Sequence, residues 1–140
     1  MTRRRFRVWG SEEGQALVEF ALVAPLLLAL ILGLVEFTRA WNTQQVLTDA
    51  AREALRSSVV ANPNFTYDAL MGLIDQALVR ASLDPQRAQV AVDGWKTGTG
   101  TPARIRIDYR YDFGFFGPLV GWATGDRSLA LSTSFVMRNE

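Results

Sequence analysis

Glu19 is the one charged residue in an apolar run from Ala16 to Val35, and it stands five residues after Gly14. A carboxylate near the centre of a membrane helix costs on the order of 2.5–3.5 kcal/mol, and less close to the interface. Glu19 therefore either marks the start of the run or answers to a cation. The spacing offers one. Cutting the chain after Gly14 would create an α-amino group on Gln15, with a pKa near about 7.7–8.0, about 6 Å along a helix axis from Glu19. In a bundle of staggered identical or related helices, that amine meets the Glu19 carboxylate of a neighbour. In low dielectric such a pair sets axial register more than it adds stability.

Little other chemistry is open to this chain. It has no histidine and no cysteine, which removes thiolate and imidazole metal ligands, Cys–His nucleophiles and any Ser–His–Asp triad. Carboxylate, lysine or tyrosine chemistry has no motif to support it. Gly98-Thr99-Gly100 lacks the following helix and lysine of a phosphate-cradling loop. Fifteen basic and fourteen acidic side chains leave a net charge of +1, so no strong field argues for nucleic acid or an acidic substrate. The expectation is a protein that binds and does not catalyse, with no cofactor, metal, nucleic acid or small-molecule substrate. The lack of cysteine leaves the redox compartment open.

The compartment comes from the N-terminus. Arg3, Arg4, Arg5 and Arg7 precede Glu12-Glu13-Gly14, and the apolar run follows. About 20 apolar residues at 1.5 Å each match a hydrocarbon core of roughly 30 Å. The positive-inside rule keeps the arginines in the cytoplasm and sends the rest of the chain across. A cleaved secretory signal also begins basic and then apolar, but its apolar region is shorter, about 7–15 residues. Here the run ends in Glu36, Phe37 and Arg39, which makes Ala40 a poor cleavage point. Pro25 lies inside the run, removes its own amide hydrogen bond and leaves the Ala21 carbonyl without its usual partner. That is a harmless kink where neighbours or water satisfy the carbonyl, or a point where the helix extends on leaving the bilayer.

The run Gly14-Gln15-Ala16-Leu17-Val18-Glu19-Phe20-Ala21-Leu22-Val23-Ala24-Pro25-Leu26-Leu27-Leu28 resembles the opening of the TadE-like pseudopilins. Val35-Glu36-Phe37 and Ala50-Ala51-Arg52-Glu53-Ala54 are similar to their downstream sequence, and Val136 to Glu140 to their usual end. The resemblance is specific over roughly the first 55 residues. It implies a prepilin-peptidase site of the tight-adherence kind, with cleavage between Gly14 and Gln15 by an inner-membrane aspartyl peptidase at the cytoplasmic face. Glu19-Phe20 then stands at mature positions five and six. A role in assembling or capping a secreted pilus is implied, with sibling pseudopilins or pilins, the peptidase, the inner-membrane assembly platform and the lipid bilayer as partners.

Beyond the run, Trp41, Val46, Leu47, Ala50, Ala54, Leu55 and Val59 continue a helical stripe, with Asp49, Arg52, Glu53 and Arg56 mostly opposite. Trp41 and Arg39 stand where interfacial anchors are expected. Asn62-Pro63-Asn64 breaks the pattern. Thr66 or Asn64 caps a second helix carrying Leu70, Leu73, Ile74, Leu78 and Ala81, which should stop near Leu83. Val90 to Asp93 is a short strand and Thr97 to Gly100 a turn. From Ala103 to Asp112 apolar and charged residues alternate strictly, as in a sheet wet on one face. The arginines on that face read as a solvated surface in preference to a binding stripe. Ser128 to Met137 is a third strand.

The segment from Phe113 to Trp122 has the glycines and proline of a loop or short helical turn, yet it carries Phe115, Phe116, Leu119 and Trp122. So many large apolar groups form a sticky patch if left wet. Either the segment closes the core under the first helix, or it meets a partner or the lipid surface.

The sequence thus predicts a cytoplasmic basic leader over 1–14, a transmembrane helix over 15–36 and an extracytoplasmic α+β domain over 37–140. The fold class is α/β (α+β) and pilin-like, with a second helix and a small antiparallel sheet. Two rivals stand beside the pseudopilin reading in a bacterial inner membrane. One is an interaction module that keeps its anchor uncleaved, and the other a secreted domain released by signal peptidase.

Overall fold

The computed structural model describes residues 12–59 and 64–140. Residues 1–11, with the leader's arginines, and the Asn62-Pro63 break lie outside the described residues. In order, the elements are α1 (Glu12–Val59), α2 (Tyr67–Arg80), a 3-10 turn (Pro85–Arg87), β1 (Ala88–Asp93), β2 (Pro102–Asp112), α3 (Gly117–Thr124) and β3 (Ser128–Arg138). The chain divides into two units, one ending at Val35 and the other running from Glu36 to Glu140.

The first unit is helical over its described part. A helix that packs in a water-soluble core buries a stripe; here Leu17, Phe20, Leu22, Leu26, Leu30 and Leu34 are all exposed. An 18-residue window of α1 reaches a mean hydropathy of 2.6, so the helix is long and apolar enough to cross a membrane. It is unbroken across Pro25.

The second unit is α+β. Its part of α1 buries Leu47, Ala50, Ala51, Ala54, Leu55, Ser58 and Val59, pairs of neighbours repeating every three to four residues. Alanine at so many of these positions lets the packed elements approach closely. The second helix, α2, adds Leu70, Ile74 and Leu78 from one face. The Thr66 hydroxyl caps it, accepting from the Ala69 N–H at 3.2 Å. It stops at Arg80, three residues before the expected end. Ser82 takes a left-handed φ of 59° and the Leu83 N–H donates back to the Leu78 carbonyl at 2.9 Å, which satisfies the frayed end.

The sheet is antiparallel in the order β1-β2-β3, with Val90 opposite Ile107 and Ile105 opposite Phe135. Central β2 turns Ala103, Ile105, Ile107, Tyr109 and Tyr111 into the core. Its other face carries Arg104, Arg106 and Arg110 in the open, with Arg106 gripping Asp108 at 2.9 and 3.0 Å. The β1–β2 turn needs glycine at 94, where φ is +69° and a Cβ would sit 2.2 Å from the Pro102 carbonyl oxygen. Buried Asn139 stitches that turn, donating through Nδ2 to the Gly94 carbonyl at 2.8 Å and the Thr101 hydroxyl at 2.9 Å.

Candidate functional site

The residues that the sequence marks for processing and register all lie on the first unit's helix. Gly14 and Gln15 are in the opening turn of α1, so the bond between them is already helical. Glu19 follows Gln15 by four residues and so shares its face of the helix, and both are exposed. Phe20 is exposed too, as is Pro25. This segment is an apolar rod with one carboxylate near its start.

A second constellation, within the second unit, has a buried carboxylate at its centre. Glu36 is only 3% exposed, and an unpaired carboxylate so placed would be costly. It has three donors. The Tyr111 hydroxyl donates to Oε1 at 2.7 Å, the Gly114 N–H to Oε1 at 3.0 Å and the Phe115 N–H to Oε2 at 3.0 Å. All three donate as an ionised acceptor needs, and the two backbone N–H groups can do nothing else. Their joint effect is to clasp the chain after β2 against α1 by its own backbone. Gly114 fits closely there: a Cβ would sit 3.2 Å from Arg39 Nη1, which would have to give way slightly, and 3.5 Å from Glu36 Oε2.

The phenol at the other end of this bond is perturbed. Burial pushes the Tyr111 hydroxyl up, and its hydrogen bond to the Glu36 carboxylate pushes it further, to about 12. The proton therefore stays on the phenol throughout the physiological range.

The segment after Tyr111 resolves into two parts. Phe113 packs edge-on to Tyr111, with centroids 5.8 Å apart, and Gly117 is buried while Phe116 is half-buried. Phe115, Leu119 and Trp122 point outward at 57%, 59% and 85% exposure. Phe113 packs against the core, and Phe115, Leu119 and Trp122 are open to the outside. The expected loop or turn contains a full two-turn helix, α3, begun by Gly117-Pro118 and ended by Gly125 at φ 81°.

Sequence reasoning gave Glu36 no role, and it saw in Arg39 only an interfacial anchor. An acid directly after an apolar run, still inside a helix, was the available signal. Its partners lie 75 to 79 residues further on, beyond the reach of any local pattern.

The stretch that holds Gly14, Glu19, Pro25 and Glu36 is also the one that matches a known family. Residues 14–56 match the TadE-like protein family. The match begins at the glycine singled out above and ends within α1, so it takes in less than a third of the chain and none of α2, the sheet or α3. Neither curated proteins nor solved structures match the chain. The TadE-like segment points to a protein associated with the tight-adherence pilus. Within it an exposed acid, Glu19, stands near the start and a buried one, Glu36, stands where the apolar run stops.

Proposed function

We propose that this chain is a minor pilin or pseudopilin of a tight-adherence type IV pilus system, cut after Gly14 by prepilin peptidase and active in pilus assembly. It is a single-pass protein of the bacterial inner membrane, with its N-terminus in the cytoplasm and its α+β domain outside. It is not an enzyme. Sibling pseudopilins or pilins, the peptidase and the assembly platform are its partners, and adhesion and secretion are the processes it serves.

The observation that carries this reading is where the TadE-like segment begins. It opens at Gly14, next to an exposed apolar helix with its acid four residues past Gln15. A leader that is basic and polar, without an apolar stretch of its own, suits a protease cutting at the cytoplasmic face. It does not suit signal peptidase, which cuts on the far side of an apolar region. The opening turn of a helix has unpaired N–H groups and frays readily, so a protease can unwind Gly14-Gln15 at small cost.

Co-expression with a tight-adherence prepilin peptidase tests this, read as a mobility shift of a C-terminally tagged chain. The wild type should shift by the mass of the leader and Gly14→Leu should not. Shift of both, or of neither, contradicts processing at Gly14.

A further inference from the structure

The exposed side chains of the α3 segment have no use in peptidase processing or in the axial register of α1. Leu119 and Trp122 stand three residues apart on one face of α3, and Phe115 is exposed just before the helix begins. The α3 sequence, Gly-Pro-Leu-Val-Gly-Trp-Ala-Thr, contains no charge at all. A two-turn helix that exposes a leucine and a tryptophan leaves a large apolar surface in water.

Its height along α1 is fixed by hydrogen bonds. Glu36 holds the backbone N–H groups of Gly114 and Phe115, and Glu36 is the residue that follows Val35, the last of the apolar run. Wherever that run leaves the hydrocarbon, the start of the α3 segment is tied within one residue of the exit. Tryptophan favours that level, where an amphipathic ring sits among headgroups.

The rim is basic at both ends. The Arg39 guanidinium lies beside Gly114, and the stem of Arg127 lies over Gly121, where a Cβ would come within 2.6 Å of its Cγ. An arginine stem laid along an apolar surface leaves its head free to reach phosphate. Three acids stand by this rim and each is engaged: Glu36, next to Arg39, holds its three donors, Asp112 pairs with Arg87, and Asp126 accepts from Ser128.

We infer that α3 is a membrane foot: Phe115, Leu119 and Trp122 dip into the outer interface of the bilayer that α1 spans, with Arg39 and Arg127 meeting lipid phosphates. This rests on the reading of α1 as a membrane anchor. The foot need not bind lipid strongly by itself, since the anchor makes the contact intramolecular and the effective concentration high.

The native chain has no cysteine, so single nitroxide labels report cleanly. We would label Ala123→Cys beside the foot, Leu30→Cys in the apolar run and Ser134→Cys on the exposed sheet face, in the full chain in nanodiscs of phosphatidylcholine and phosphatidylglycerol. Collision with oxygen, which partitions into lipid, is then compared with collision with a water-soluble nickel chelate. The foot predicts that the label at 123 favours oxygen over chelate, as at 30, while the label at 134 favours chelate. It also predicts that adding Leu119→Ser and Trp122→Ser returns the label at 123 to chelate-dominated collisions. A water-like label at 123 with a lipid-like label at 30 overturns the foot alone. Shielding of 123 from both reagents overturns it too, because a protein neighbour then covers the face. A water-like label at 30 removes the membrane anchor and the foot with it.

Discussion

The helix α1 carries two glutamates that solve the problem of a charge beside apolar surroundings in opposite ways. Glu36 is buried at 3% exposure and receives its three donors from the same chain, two of them backbone N–H groups that cannot move away. Glu19 is exposed, on a stretch where the surrounding side chains are apolar and outward-facing. A carboxylate whose partners are internal holds a fold together, and removing it should be felt in stability. One that must find its cation elsewhere, on a neighbouring copy or at the interface, should be felt in assembly, with the fold untouched. The TadE-like segment contains both kinds.

The largest expected effect lies on the Glu19 side. Glu19→Ala should leave cleavage and domain stability within about 0.5 kcal/mol of wild type, the usual range for surface changes, while pilus assembly is lost or falls severely, as counted by sheared-fibre yield. Normal assembly by this variant would erase the distinction between the two acids.

The next effects sharpen the Glu36 side. Glu36→Ala strips three donors of their acceptor and should cost about 3–5 kcal/mol of domain stability, the scale for breaking a buried charged contact, read as the thermal unfolding midpoint in detergent. Glu36→Gln keeps one acceptor oxygen but turns an amide N–H₂ toward at least one donor, for about 1–3 kcal/mol. Gly114→Val pushes a side chain against Arg39 and the carboxylate and should cost about 1–3 kcal/mol by overpacking.

The smallest effect is a titration. Tyr111 is raised to about 12 from an ordinary value of 10.0. With the folded pKa above the unfolded one, its contribution to stability is fully present below pH 10 and is lost as pH rises through about 12. A spectrophotometric titration should show one late tyrosinate transition that vanishes in Tyr111→Phe. In Glu36→Gln it should move back toward the ordinary value, since the neighbouring charge is gone.

How much of this could be read from the sequence follows the same division. Features with a local cause were visible. Thr66 caps α2 because its hydroxyl is followed by a helical stripe, and β2 alternates because one of its faces is wet. The apolar run of α1 is a matter of counting. For α3 the sequence offers a loop or a short helical turn without choosing, because Gly117-Pro118 reads as a break although proline is a good opening residue for a helix. The end of α2 was misplaced because a serine, not a glycine, takes the left-handed position at 82. Of the candidate site, Glu19 could be singled out by its isolation. Glu36 could not, since Tyr111, Gly114 and Phe115 reach it only through tertiary structure.

The most direct test of the whole account is the first residue of the protein taken from its native membrane, read by intact mass and N-terminal sequencing. A mature chain beginning at Gln15 is the predicted result. A chain beginning at Met1 would make the protein a permanent anchor, one beginning near Trp41 would make it a secreted domain, and either would contradict the account.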